Sequence, residues 1–231
     1  MSKNGVKNSV LRKESRTLCW QARKTMVLLE EQLQKVCRRL GKGKHDGTIH
    51  LNDLEALTTG INKLRNIARL GKMKQLESIR VVDDRKLEVL RQLSKDADPH
   101  IRGEVAELLR KYRGDHAIRP VRVLHGMYFD RNNNVKEKDR DTKEEIVASL
   151  AKLACRFRED GEVATRVVLE LRNILKYEEV NQVREYVLNQ GTTIGLDFFP
   201  VVVDIMSDKD AAVKETAEDC FKVLHKRIPK H

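Results

Sequence analysis

One tetrapeptide constrains this chain more than any other feature, because it occurs twice. Leu64-Arg65-Asn66-Ile67 returns 107 residues later as Leu171-Arg172-Asn173-Ile174. Beyond the second copy, five additional residues around Asn189-Gln190-Gly191-Thr192-Thr193 raise the offset to 112. At that offset nine apolar positions from Leu87 to Tyr112 all meet apolar partners between Phe199 and Leu224. Charge sign is kept as well, with Asp98 matched by Asp210 and Arg102 by Lys214. Such agreement across several elements with one insertion reads as two diverged copies of one helical module. Aromatic residues at 4% and only four prolines also suit helices better than sheets.

The expected fold is therefore all-α: two tandem bundles of four to five helices behind a basic N-terminal arm. The arm covers residues 1–15, the first module 16–114, a linker or strap 115–142, and the second module 143–231. Within the first module, Leu18, Ala22, Met26, Leu29, Leu33, Val36 and Leu40 form one helical stripe, with Trp20 off it and packed on a neighbour. A second helix is predicted from about Leu51 to Ala68, with Gly60 marking a close approach. Short helices follow at about 72–80 and 85–94, then one from His100 to Tyr112 behind Asp98-Pro99. Pro120, Gly126 and Arg131-Asn132-Asn133-Asn134 interrupt the pattern, although Val121–Phe129 is apolar enough to pack as a strap. Pro200 fits the first turn of a helix capped by Asp197.

The net charge of +11 is concentrated at one end. Residues 1–45 hold 12 Lys/Arg against 3 Asp/Glu, so the remainder is nearly neutral. Lys3, Lys7, Arg12, Lys13 and Arg16 are the candidates for nucleic-acid contact or nuclear import, or they form a solubilising tail, since no aromatic interleaves the lysines for base stacking. Cys19, Cys37, Cys155 and Cys220 are far apart and read as small core residues of a reducing compartment. No apolar run is long enough to cross a bilayer, and no signal-peptide pattern opens the chain. The seven histidines are scattered and the adjacent carboxylates diverge, so neither catalysis, a metal nor a cofactor is expected. Gly41–Gly47 lacks the phosphate-loop spacing and reads as a helix stop.

Leu169–Ile174, Thr193-Ile194-Gly195 and Ala217-Glu218-Asp219-Cys220-Phe221 resemble the N-terminal domain of transcription elongation factor S-II. That family includes the integrase-binding domain of lens-epithelium-derived growth factor, which the first module resembles more. The likeness spans roughly residues 16–114 and 143–228. The family's closing tryptophan is here Tyr112 or Leu224, and its usual single domain is here a pair. The resemblance implies a non-catalytic nuclear docking module for short disordered segments of transcription or chromatin factors, acidic with embedded aromatic or apolar anchors. It places the partner-binding loops at Asp46 and Asp160 and, opposite them, at Lys95–Pro99 and Ser207–Asp210. Lys42, Lys44 and Lys95 would favour an acidic ligand, while Asp46 and Asp160 read equally as plain helix caps, and Asp98 and Asp210, with Asp208 in the same loop as Asp210, read more as caps than as ligand contacts.

The rival reading is a HEAT-like helical array that binds nucleic acid or a large protein surface, with the basic N-terminal region as the contact. Asp98-x-x-Ile101-Arg102 and Asp210-x-x-Val213-Lys214 have the form of its second helices. Against it stands the period, since such arrays repeat at about 40 residues rather than 107 to 112.

Overall fold

A computed structural model of the chain describes residues 17, 20–22, 24–31, 34, 51–77 and 79–229. The class is all-helical, as the composition implies, with only two isolated β-bridges among the described residues. Two compact units divide between Ser78 and Ile79.

In the first unit, residues 20–22 and 24–31 are helical, and α1 runs without interruption from Leu51 to Glu77. The expected break after Ala68 does not occur. Gly71 alone costs a helix about 1 kcal/mol, and no proline or cap adds to it. Gly60 does mark a close approach: a Cβ there would lie 2.6 Å from Leu29 Cδ2. Of the expected stripe, Leu18, Leu33, Val36 and Leu40 lie outside the described residues, and among the others burial only partly follows it. Thr25 is buried and Ala22 and Leu29 are half-buried, whereas Met26 and Trp20 are exposed, with Lys24 lying over the Trp20 ring.

The second unit is a series of four helical hairpins. Its helices are α2 (Asp84–Leu93), α3 (Pro99–Leu109), α4 (Ile118–Tyr128), α5 (Arg140–Arg156), α6 (Gly161–Tyr177), α7 (Asn181–Ile194), α8 (Phe199–Ile205) and α9 (Ala211–His225). Each pair α2/α3, α4/α5, α6/α7 and α8/α9 packs together. The second helices also pack in succession, α3 on α5, α5 on α7 and α7 on α9, so one apolar interior runs through the unit. Ile101, Ile146, Leu150, Val183, Val187 and Val213 are among its fully covered side chains. This division differs from the expected modules. Helices α2 and α3, assigned from the sequence to a module ending at residue 114, belong with those after 143, because α3 buries its apolar face directly against α5.

The intervening stretch packs as expected of a strap, but it is helix α4 and not a break in the helical pattern. Pro120 is the third residue of α4, where its missing N–H has no intrahelical partner to lose, so it starts the helix instead of breaking it. Val121, Leu124, Met127 and Tyr128 then face the interior. The polar loop after it is ordered by Asp130, whose carboxylate accepts from the Asn132 and Asn134 backbone N–H groups. Gly126 lies inside α4 with no atom within 4 Å of an added Cβ. Gly126→Ala is therefore expected to stabilise the protein by about 1 kcal/mol through helix propensity, read as a higher urea midpoint.

Further along, Pro200 sits in the first turn of α8 as expected, but the lead-in is a 3-10 turn, Leu196–Phe198, and Asp197 lies within it. The five added residues at Asn189–Thr193 extend α7 to Ile194. Gly191 is required there, because a Cβ would lie 2.0 Å from Phe198 Cε1. Cys220 is buried, and burial pushes its thiol up to about 11, whereas Cys155 is exposed at the end of α5 and not a core residue.

Candidate functional site

The hairpins are locked in register by a ladder of ion pairs. In each second helix a cation stands near the start, at Arg102, Lys143, Arg184 and Lys214. An acid stands just before the same helix, at Asp96, Glu137, Glu178 and Asp208. The first three cations each reach the acid of the following hairpin. Arg102 pairs with Glu137 through Nε and Nη2 at 2.7 and 2.6 Å, Lys143 with Glu178 at 2.9 Å, and Arg184 with Asp208 in bidentate fashion. Lys214, last in the series, makes no ion pair among the described residues. Every acid also accepts a backbone N–H at the start of its helix, as Glu137 does from Asp139 and Asp208 from Asp210. Glu137, Glu178 and Asp208 thus each hold the N-cap residue of their own helix and receive the cation of the previous hairpin.

The central rung is the most buried. Lys143 and Glu178 are both under one-tenth exposed, and Tyr128 O–H donates to the same carboxylate. Burial pushes the Glu178 carboxyl up, but hydrogen bonds from Tyr128, Lys143 and the Val180 N–H outweigh it and hold the group below its ordinary value. Asp208 is likewise held low, chiefly by the Arg184 hydrogen bonds. A depressed folded-state value gives stability that is fully present above the unfolded carboxylate value of about 4 and is lost as pH falls through the folded one. Urea midpoints are therefore expected to hold from pH 7 to 5 and to fall below about pH 4. In Arg184→Met/Asp208→Leu that acid-side fall should be shallower.

Among the described residues, surface grooves open between the hairpins, three of which bear on function. Helices α2 and α4 do not pack closely on each other. The groove between them, about 330 Å³, has Leu87 and Val123 along it and Arg91, Lys95, Arg119 and Arg122 around it, with Glu88. On the other row, α3 and α5 flank a smaller groove of about 180 Å³ with Glu104, Glu107, Asp139, Asp141 and Glu145. There burial and the charges of Glu107 and Glu104 push the Glu145 carboxyl up despite the nearby Arg110. The third, about 800 Å³ among α6, α7 and α8, is lined by Leu175, Tyr177, Val201 and Ile205, and its charges are largely paired, as in Arg172–Asp204.

The residues singled out from the sequence fall into three groups. Asp98, Asp160 and Asp210 are the N-caps of α3, α6 and α9, with Pro99 opening α3, and Asp208 is a ladder acid. Lys95 is exposed in the basic groove. Asp46, Lys42, Lys44, Lys3, Lys7, Arg12, Lys13 and Arg16 lie outside the described residues. Sequence reasoning missed Lys143 and Arg184 as ladder cations and Arg91, Arg119 and Arg122 as neighbours of Lys95. The 41-residue spacing of Arg102, Lys143 and Arg184 was the available signal for the first two.

Among the described residues there is no cluster of His, Cys, Asp and Glu able to hold a metal, and no helix long and apolar enough to cross a membrane. Comparison of the chain with protein-family models, curated proteins and solved structures finds no match.

Proposed function

We propose that the chain is a non-catalytic docking scaffold, a HEAT-like hairpin array whose surface grooves receive a disordered, acidic segment of a protein partner. The observation that carries this reading is the ladder. Its three buried or half-buried ion pairs join successive hairpins, with their cations 41 residues apart, a design that holds a binding surface rigid. The resemblance to the S-II family adds transcription-elongation or chromatin factors as the partner class and the nucleus as the place. The basic arm at residues 1–45 is compatible with import or with nucleic-acid contact. The repeated Leu-Arg-Asn-Ile run supports the second reading, a tandem pair of S-II-like bundles. Its copies differ in setting, since Leu64 and Ile67 are half-buried and Leu171 and Ile174 buried.

The test is co-precipitation of the full chain from nuclear extract, followed by peptide mapping of what it holds. Recovery of acidic segments with apolar anchors supports docking. Recovery of nucleic acid alone, lost steeply with salt, would replace that reading with the nucleic-acid one. In a tandem pair, residues 143–231 expressed alone would fold and bind. In an array they would expose the face of α5 that α3 covers and would aggregate or unfold.

A further inference from the structure

From the geometry of the groove between α2 and α4 we infer that it is the docking site itself, and that it takes a carboxylate-rich segment carrying one aliphatic or aromatic anchor; this rests on the docking reading above. The groove combines an apolar strip with a one-sided charge. Leu87 is buried and Val123 half-buried along it, which suits a single apolar side chain. Around them stand four cations and one carboxylate, Glu88. Two of the cations are already engaged, Arg91 with Glu88 at 3.2 Å and Arg119 with Asp84 at 2.8 Å. Lys95 and Arg122 are exposed and make no side-chain hydrogen bond or ion pair among the described residues.

The N-terminus of α4 adds to this charge. Helix α4 has Ala117 as its N-cap, with no side-chain cap bond and no acid in its first turn, although α2, α3, α5, α6 and α9 all have an aspartate cap. No side chain caps the positive end of its dipole. Arg119 and Arg122, three residues apart, stand on one face of that same end.

A polypeptide with acidic side chains fits these features better than a nucleic-acid strand does. None of the described residues lining the groove offers an aromatic ring for bases to stack on. An apolar floor gains from an apolar anchor, and a phosphodiester chain has none to offer. Carboxylates on either side of the anchor would meet Lys95 and Arg122, where guanidinium and ammonium donors form charge-assisted bonds.

The experiment is fluorescence anisotropy of a labelled twelve-residue Asp/Glu peptide with one central Phe, titrated with the full chain. Controls are the same peptide with Asn/Gln for every acid, and a twelve-nucleotide single-stranded DNA. Lys95→Glu/Arg122→Glu should weaken the acidic peptide at least ten-fold with an unchanged thermal melt, as both side chains are exposed. Lys176→Glu/Lys209→Glu, beside the larger groove, should change it less than two-fold. Binding that ignores the first pair but falls with the second would overturn the site and keep docking. Absence of binding to the acidic peptide by the unaltered chain would overturn docking as well. DNA binding tighter than peptide binding, and lost in Lys95→Glu/Arg122→Glu, would overturn the ligand class.

Discussion

Replacing Glu178 with alanine is expected to lower the unfolding free energy by about 3–5 kcal/mol, as measured by urea denaturation followed by circular dichroism. Three groups would lose their partner together: the Lys143 ammonium, the Tyr128 hydroxyl and the Val180 backbone N–H. The ammonium matters most, because Lys143 is only 6% exposed and an unpaired charge there has little water to turn to. Removing both partners is a different case. Lys143→Met/Glu178→Leu leaves no buried charge, and its cost should be much smaller than that of Glu178→Ala. If the double variant proves as unstable as the single one, the loss lies not in a stranded ammonium but in the removed pair itself and in the Tyr128 hydroxyl and Val180 N–H left without an acceptor.

A second large effect is expected at Gly191. Gly191→Ala should cost about 1–3 kcal/mol even though alanine is the better helix former. The added methyl would fall between 2.0 and 2.4 Å from three atoms of the Phe198 ring. That ring is fully buried and cannot swing away. Phe198→Leu in the same background should recover part of the loss, because a shorter side chain leaves space above residue 191. The opposite sign expected for Gly126→Ala makes the two glycines an internal comparison within one protein.

Much of the fold was legible, and where it was not the reasons are local. The caps Asp98, Asp160 and Asp210 were readable because an aspartate beside a helix start leaves few other conformations. Pro120 misled because a proline signals a helix start as well as a stop, and only the burial of Val121 and Leu124 decides between them. The offset of 112 was real but wrongly divided. From Arg102 to Lys143, from Lys143 to Arg184 and from Arg184 to Lys214 the steps are 41, 41 and 30 residues, which together make it up. Thr142-Lys143 hid the middle steps, because threonine stands where the other hairpins have Ile101, Val183 and Val213. Its hydroxyl is spent on the Pro99 carbonyl and the Asp139 carboxylate, so a polar residue is buried there at little cost. Of the groove between α2 and α4, Lys95 alone was legible. Arg119 and Arg122 join it through the approach of α4 to α2, which no local pattern encodes.

The ladder has a consequence for how such a protein can change over generations. Its cations sit on α3, α5 and α7, and its acids just ahead of α5, α7 and α9, so none lies on the exposed side of α2 or α4. Outward-facing residues of those two helices can be exchanged one at a time without disturbing the spacing of the hairpins. Selection can thus rewrite what the groove prefers while the opposite row preserves the frame, and two descendants of this chain could part company in their choice of partner long before they differ in architecture.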